Sequence, residues 1–283
     1  MQQFYAHLNE ALKGLYHPDE IKFIGKMLLM EMAEMTPNQI YACKDKIFPE
    51  ETLETLFAAV KRISENEPIQ YVIGHTYFYD LKFKVAPGVL IPRPETEELV
   101  DWILRDPSVQ SIHNPHILDI GTGSGCLAIS LAKNLAPAKV DAWDISPVAL
   151  DICNENATLN QVALHTSKMD VLQPKELPEN ESWHIIVSNP PYIKPDEAAT
   201  MKRNVLDFEP HLALFASENN PLEFYEAISK FAFKTLENNG LLYFEINEHL
   251  GEETLEAVQK QGFKSVEIKK DINGKSRMIR AKK

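Results

Sequence analysis

The sequence predicts an α/β fold with a small helical domain at its N-terminus and a largely parallel sheet in the rest of the chain. Apolar residues recur at helical spacing through roughly the first 66 residues. From about residue 115, short apolar runs alternate with helical segments. A run of glycines marks the first strand-to-helix turn of that sheet, which is typical of α/β proteins that bind a ligand there.

The N-terminal segment has three apolar faces with helical spacing. They are Phe4, Leu8, Leu12 and Leu15; Ile21, Ile24 and Leu28; and Leu53, Leu56, Val60 and Ile63. The stretch "TPNQ", residues 36 to 39, has the form of a capping box with proline at the first helical position. We therefore expect a helical bundle over residues 1–66.

Residues 67–93 are expected to form a β-hairpin linker. Between Ile69 and Val89, aromatic and β-branched residues alternate with polar ones around Asp80. In "IPRPETEELVDWIL" a helix restarts, with Pro94 near its N-terminus and acidic residues in its first turn. The stiff residues Pro92, Arg93 and Pro94 precede the sheet domain, and one hypothesis is that they cover part of its ligand site.

The remaining residues, 94–283, are expected to form one α/β domain. Predicted strands include "HILDI", "KVDAWDI", "ALHTSK", "WHIIVSN" and "GLLYFEI", and helices such as "GCLAISLAKNL" and "SPVALDICNENATLN" lie between them. The tail segments "KSVEIKKD" and "SRMIRAK" flank Asn273 and Gly274, so a hairpin with an antiparallel last strand is predicted.

Composition limits the classes of function. The 283 residues are 44% hydrophobic and 25% charged, with no apolar run near the length of a membrane span and no signal-peptide pattern at the start, so we expect a cytoplasmic protein. Cys43, Cys126 and Cys153 are too scattered for disulfides or a zinc site, and no metal is expected. A net charge of −12 disfavours a generic grip on nucleic acid, although a local basic patch is compatible with it.

The glycine turn "LDIGTGSG" favours a nucleoside ligand that carries positive charge. Glycines at 121, 123 and 125 let a ligand approach the backbone. A dinucleotide fingerprint needs glycine where Cys126 stands, and Asp119 would repel a pyrophosphate. Asp144 ends the next strand 23 residues after Gly121, near the spacing of acids that bind ribose hydroxyls. S-adenosylmethionine fits these features, although each acid alone could be an ordinary loop or capping residue.

A second polar turn follows a buried strand in "IIVSNPPYI". Asn189, Pro190, Pro191 and Tyr192 combine a carboxamide, two rigid φ angles and an aromatic face. Such a turn can hold hydrogen-bonding groups in fixed directions. Taken alone it is equally compatible with a strand that simply ends at two prolines.

These motifs together resemble one enzyme family. "PGVLIPRPETEELV", "LDIGTGSGCLAISLA", "DISPVAL" and "IIVSNPPYI", in this order behind a helical segment, closely resemble the release-factor glutamine methyltransferases, the HemK/PrmC family. The resemblance implies a Rossmann-like methyltransferase sheet that uses S-adenosylmethionine. It also implies methylation of the glutamine side-chain nitrogen in the Gly-Gly-Gln loop of class-1 peptide chain release factors, which supports translation termination.

The resemblance also implies roles for individual residues. The Asn189 side-chain oxygen and the Pro190 carbonyl accept the two N–H bonds of the substrate carboxamide, and Tyr192 stacks on its plane. The implied cofactor contacts are Gly121, Thr122, Gly123, Ser124, Gly125, Asp144, Asp170, Val171 and Asn189. Relatives often have an aromatic residue in place of Val171, so its adenine contact is either side-chain packing or a backbone hydrogen bond. Asp170 could equally cap a turn.

A long segment after Tyr192, residues 194–220, has few regular signals and suggests a functional loop. Its "FEPHLAL", Phe208 to Leu214, resembles a family motif, and we expect it to help enclose the target glutamine. The alternative is a partly ordered surface excursion.

Two other classes of function remain open from the sequence. Adenine N6 or another nucleobase amino group in DNA presents a planar NH₂ group similar to that of a carboxamide. Its methylation requires a basic groove or a target-recognition region, and the sequence reveals neither. The other open class of function is a non-catalytic module that binds the cofactor. Within the preferred class, residues 1–66 are expected to recognise basic release-factor surfaces through acidic groups at Glu31, Glu34, Glu50, Glu51 and Glu54. Simple support of the catalytic domain is the alternative role of that segment.

Overall fold

The computed structural model describes residues 1–173 and 181–283, which divide into two compact units. Unit 1 comprises Met1–His75 with Lys202–Phe208, and unit 2 comprises Thr76–Met201 with Glu209–Lys283. Across these described residues, no helix has the length and apolar character needed to cross a membrane.

Unit 1 begins with five helices around one hydrophobic core. They are α1 (Gln2–Leu12), α2 (Pro18–Glu31), α3 (Pro37–Ala42), α4 (Glu50–Ser64) and α5 (Ile69–Ile73). The predicted capping box starts α3: Thr36 Oγ1 accepts from the Gln39 backbone N–H at 3.3 Å, and Gln39 Oε1 accepts from the Thr36 N–H at 2.8 Å. The predicted apolar faces are buried or partly buried, with one exception.

The exception is Leu15, whose predicted place on the first helical face is wrong. Helix α1 ends at Leu12, and Leu15 is 52% exposed. Gly14 between them has φ of 85°, a conformation that glycine adopts without steric cost and that ends the helical path.

The predicted hairpin is present but shorter than the alternating pattern indicated. Its strands are β1 (His75–Phe78) and β2 (Leu81–Lys84), and Tyr79 and Asp80 between them both have positive φ, as a type I′ turn requires. Residues 69–73 form α5 instead of strand, because Pro68 precedes the helix and Gly74, with φ of 81°, caps its C-terminus.

The other elements follow in chain order. They are α6 (Pro94–Arg105), α7 (Pro107–Gln110), β3 (His116–Ile120), α8 (Cys126–Asn134), β4 (Lys139–Asp144), α9 (Pro147–Leu159), β5 (His165–Lys168), β6 (Trp183–Ser188), a 3-10 helix (Pro195–Thr200), α10 (Arg203–Leu206, in unit 1), α11 (His211–Leu214), α12 (Glu223–Thr235), β7 (Leu236–Glu245), α13 (Gly251–Lys260), β8 (Lys264–Lys270) and β9 (Ser276–Lys282). The segment 194–220 thus contains short helices, which its sequence did not signal.

Among the residues that the structure describes, unit 2 is built on a seven-stranded sheet with the order β5-β4-β3-β6-β7-β9-β8. Strands β3 to β7 pair in parallel, whereas β9 is antiparallel to both β7 and β8. The predicted parallel sheet and the predicted C-terminal hairpin are therefore confirmed, and Gly274 has the positive φ expected in the hairpin turn.

Neighbouring residues of each strand supply the cores on the two faces of the sheet. Ile117 packs in a cluster with residues of α6, α8 and α9, while Leu118 packs in a second cluster with residues of α12 and α13. This alternation follows from the two-residue period of a strand, and burial on both faces explains the nearly continuous apolar runs of β3 and β6.

Candidate functional site

The sheet reverses its winding between β3 and β6, and the candidate site lies at the carboxyl ends of these strands. The two strands pair in parallel, with Ile120 opposite Ser188, and the chain continues from β3 to β4 on the far side. Such a switch point leaves a crevice for ligands. A cavity of about 350 Å³ opens there, and its walls include Gly121, Asp144 and Asn189.

The glycine turn lies against β4 and opens toward the cavity. Gly121 and Thr122 donate their backbone N–H groups to the Trp143 carbonyl at 2.8 and 2.9 Å. Gly121 and Gly123 have φ of 74° and 55°, and a Cβ built on either would meet no atom within 4 Å. Both residues line the cavity, so the missing side chains leave room for a ligand beside the backbone.

Gly125 serves packing instead. Its φ is 83°, and a Cβ there would lie 2.7 Å from Cys153 Sγ and 2.9 Å from Ile129 Cδ1. Thr122 and Ser124 are buried beneath the turn, where Thr122 Oγ1 donates to Asp119 Oδ2 at 2.7 Å. These three predicted contact residues shape the turn, while Gly121 and Gly123 supply its cavity face.

Asp119 is a fully buried carboxyl at the root of the turn. Its Oδ2 also accepts from the Ala128 backbone N–H at 3.2 Å, whereas Oδ1 has no hydrogen-bond partner among the residues that the structure describes. Burial raises the pKa of Asp119 to about 7, and the nearby charge of Asp144 acts in the same direction. A cation in the neighbouring cavity would favour the ionised form.

Asp144 ends β4 at the cavity wall. Its Oδ2 accepts from the Gly123 N–H and its Oδ1 from the Ser146 N–H, both at 2.9 Å. Burial raises the pKa of Asp144, and these backbone hydrogen bonds oppose that effect. Two carboxyl groups near one cavity end make that end suited to hydroxyl donors or positive charge.

Beyond Asp144 the cavity becomes apolar. Val171 and Met169 line it and pack against the cluster under α12, and Ile145 and Leu212 also contribute. Asp170 lines the cavity too, but its Oδ1 accepts from the Leu172 N–H at 2.9 Å and so caps the local turn. These apolar surfaces suit a flat, weakly polar ring.

Asn189 stands at the end of a polar network. Its Nδ2 donates to Thr96 Oγ1 at 3.4 Å, Thr96 Oγ1 donates to Glu245 Oε2 at 2.6 Å, and the Tyr192 hydroxyl donates to Glu245 Oε1 at 3.0 Å. Burial raises the pKa of Glu245, while the two hydrogen bonds and the charge of Arg277 lower it. Asn189, Pro190 and Pro191 line the cavity, and Tyr192 packs against the hydrophobic cluster under α12.

Two further walls are joined by Glu209. Gly88, Val89 and Leu90 line one side, and Pro210, Leu212 and Ala213 line another. Glu209, only 3% exposed, accepts from the Ile91 N–H at 3.1 Å and pairs with Arg93 at 2.6 Å. The cavity wall on this side thus comes from residues 88–90, which precede Pro92–Arg93–Pro94. Arg93 links this part of the chain to residues 209–213.

The cysteines are free: Cys43 is exposed, Cys126 half-buried and Cys153 buried. Burial raises the pKa of the Cys126 and Cys153 thiols to about 12, so both are protonated near neutral pH. Within residues 1–173 and 181–283, no group of three or more histidine, cysteine or acidic side chains is placed to hold a metal ion.

Comparison with known proteins identifies the family. Residues 3–74 match the PrmC N-terminal domain and residues 103–208 the methyltransferase small domain. Release factor glutamine methyltransferases of Flavobacterium psychrophilum and Bacteroides thetaiotaomicron are 43% and 41% identical to the chain. The first alignment covers 99% of this chain and 98% of the relative, and the second covers 99% of each. The chain belongs to the release factor glutamine methyltransferase family. It is therefore a methyltransferase.

Solved structures agree with this fold. A methyltransferase from Pyrococcus furiosus superimposes with a TM-score of 0.53 at 18% identity, over 78% of this chain and 95% of that one. At this identity the likeness concerns the fold alone, and it supports the predicted methyltransferase sheet.

In this member of the release factor glutamine methyltransferase family, eight of the residues that line the cavity are among the site residues that the sequence predicted. Gly121, Gly123, Asp144, Asp170, Val171, Asn189, Pro190 and Pro191 were predicted and line the cavity. Thr96, Glu209 and Glu245 were not singled out. An acidic residue at the end of the apolar run "GLLYFE" was the available signal for Glu245, because buried acids need partners.

Proposed function

We propose that this chain transfers a methyl group from S-adenosylmethionine to the side-chain amide nitrogen of the glutamine in the Gly-Gly-Gln motif of class-1 peptide chain release factors. The observation that carries the proposal is the single cavity that joins the glycine turn and Asp144 to the Asn189 turn. It offers one region for a charged nucleoside and, beside it, hydrogen-bonding groups for a planar amide.

The residues of the cavity fit the cofactor. Gly121 and Gly123 leave open backbone for its methionine part, Asp144 offers a carboxylate for ribose hydroxyls, and Val171 and Leu212 offer apolar surface for adenine. Asp119 and Asp144 favour positive charge near the turn. When bound, S-adenosylmethionine supplies an electrophilic methyl group on a sulfonium.

The turn at Asn189 supplies orientation. An amide nitrogen is a weak nucleophile because its lone pair is delocalised into the carbonyl. We infer that Asn189 Oδ1 and the Pro190 carbonyl accept the two substrate N–H bonds, so that the nitrogen is held in line for displacement. The same acceptors stabilise the positive charge that develops on nitrogen. Stacking of Tyr192 on the amide plane stays part of this proposal.

We also propose that residues 1–66 recognise the release factor. Glu34, Glu50, Glu51 and Glu54 are exposed and available for a basic partner, and complementary charge would aid steering and register. Glu31 is less available to a partner, because only 15% of its side chain is exposed and its carboxylate lies 2.9 Å from His75 Nε2. A role in translation termination places the enzyme in the cytoplasm, and no direct contact with nucleic acid is required.

One experiment separates the candidate substrates. The chain is incubated with S-adenosylmethionine labelled on its methyl group, separately with an unmethylated release factor and with adenine-containing DNA; Asn189→Ala serves as the inactive control. We expect label in the release factor only, and none with the variant. Transfer to DNA alone would contradict the proposal, and binding of the cofactor without transfer to either would favour a non-catalytic module.

A further inference from the structure

A network of hydrogen bonds runs from the Asn189 turn into the interior of unit 2. It consists of four polar side chains: Asn189, Tyr192, Thr96 and Glu245. Glu245, at the end of β7, is 2% exposed and accepts from both Thr96 Oγ1 at 2.6 Å and the Tyr192 hydroxyl at 3.0 Å. Asn189 Nδ2 lies 3.4 Å from the same Thr96 oxygen. The chain of hydrogen bonds starts at a buried carboxylate and ends at a residue that lines the cavity.

The carboxylate of Glu245 determines the direction of each of these hydrogen bonds. An ionised carboxylate only accepts, and a threonine hydroxyl has a single hydrogen. Because Thr96 donates that hydrogen to Glu245, its oxygen can only accept from Asn189. Asn189 therefore turns its NH₂ group to Thr96, and since the two ends of a carboxamide point in different directions, Oδ1 is turned away from Thr96.

The same carboxylate also holds Tyr192. The tyrosine hydroxyl donates to Glu245 Oε1, and the tyrosine carbonyl accepts from Asn247 Nδ2 at 3.0 Å. Asn247 is 3% exposed and follows β7 two residues after Glu245. The two side chains proposed to touch the substrate amide thus share one buried anchor at the end of β7.

We propose that Glu245 is a positioning residue that acts through Thr96 to present Asn189 Oδ1 as a hydrogen-bond acceptor toward the substrate. The inference rests on the proposed glutamine methylation. Its consequence is specificity: a group that brings N–H donors is accepted, whereas a group that brings only acceptors faces an unpaired Oδ1 and is rejected.

We call the hydrogen bonds from Glu245 through Thr96 to Asn189 the relay. Two variants break it at different points. Thr96→Val keeps the branched shape and removes the hydroxyl. Glu245→Gln keeps the length but replaces one carboxylate oxygen by an NH₂ group; with that group toward Thr96, the Thr96 hydrogen is free to turn toward Asn189, which reverses the Asn189 carboxamide. In each variant we expect the turnover number at saturating release factor to fall on the order of 10²-fold, because the nitrogen is misplaced. The dissociation constant for S-adenosylmethionine, measured by calorimetry, should stay close to that of the unmodified chain.

Two comparisons distinguish positioning from a general loss of stability. Thr96→Ser retains the hydroxyl and should restore most of the turnover number. The Thr96→Val, Glu245→Gln double variant should be no slower than the slower single variant, because both changes break the same relay. Tyr243→Phe is a matched control: this buried tyrosine donates to Asp106 at 2.6 Å, and its loss should lower the melting temperature without slowing turnover.

Three results would overturn the role of Glu245: folded Thr96→Val and Glu245→Gln variants with turnover near that of the unmodified chain, losses that multiply in the double variant, or a Thr96→Ser variant as slow as Thr96→Val. If the unmodified chain fails to methylate the release factor, the proposed function and this inference fall together. If it methylates normally and the variants do too, only the inference falls.

Discussion

Replacing Asp119 by asparagine should stabilise the fold at alkaline pH more than at acidic pH. Asp119 is fully buried, one of its oxygens has no partner among the described residues, and its pKa is raised from 3.8 to about 7, chiefly by burial. The folded state therefore binds the proton more tightly than the unfolded state. The stability that the protonated form provides is complete below about pH 4 and is lost as the pH rises to about 7.

The magnitude follows from the two pKa values. The difference between 3.8 and about 7 corresponds to about 4 kcal/mol at about 1.4 kcal/mol per pKa unit, of which roughly 3 kcal/mol falls between about pH 5 and pH 8. Asparagine does not titrate, and its side-chain oxygen can still accept from Thr122 and Ala128. Any cost of its NH₂ group is the same at both pH values, so the pH dependence isolates the ionisation of Asp119.

Urea unfolding of both proteins at the two pH values measures this difference. We expect the free energy of unfolding of Asp119→Asn, relative to the unmodified chain, to be higher at pH 8 than at pH 5. The variant should also bind S-adenosylmethionine more weakly at pH 8, since the ionised carboxyl favours a cationic ligand. A relative stability that is the same at both pH values would refute the reasoning.

Four other changes test separate parts of the site and the acidic surface of residues 1–66. Asp144→Ala should weaken S-adenosylmethionine binding by about 1–3 kcal/mol, because ribose acceptors are lost; calorimetry showing unchanged affinity in a folded variant would contradict this. Gly125→Ala should lower the free energy of unfolding by about 1–3 kcal/mol, because its Cβ would collide with Cys153. Gly121→Ala, with similar φ but open space, should cost less stability and lose more cofactor affinity, and the reverse order in urea unfolding would exclude the packing role of Gly125. Neutralising three exposed acids should raise the KM for intact release factor at low salt but leave the KM for a short Gly-Gly-Gln peptide unchanged. If the variant and the unmodified chain have the same KM for the release factor, these groups do not recognise it. The three are Glu50, Glu51 and Glu54.

Local sequence patterns predicted those parts of the fold whose causes are local. The capping box at Thr36, the glycine turn after β3 and the hairpin at Gly274 each depend on a few neighbouring residues, and all three are present. The same locality explains two errors. Apolar spacing alone extended the first helix to Leu15, and β-like composition obscured α5, although glycines at 14 and 74 mark both helix ends.

The contacts that organise the site join residues far apart in the sequence. Thr96 and Glu245 are 149 positions apart, and Ile91 and Glu209 are 118 apart. Hydrophobic periodicity reports which face of an element is buried, but it contains no information on which polar side chains meet. For this reason the sequence located Asn189 and Asp144 at strand ends, yet the partners that orient Asn189 emerged only from the fold.

Mass spectrometry of a release factor after incubation with the chain and S-adenosylmethionine tests the central claim most directly. Fragmentation of the Gly-Gly-Gln peptide should place one added methyl group on the glutamine side chain, and replacement of that glutamine by asparagine should abolish the transfer. The Asn189→Ala variant, with cofactor affinity intact, should leave the peptide unmodified. A methyl group found on any other residue, or an unmodified glutamine after prolonged incubation with active, cofactor-binding enzyme, would contradict the account.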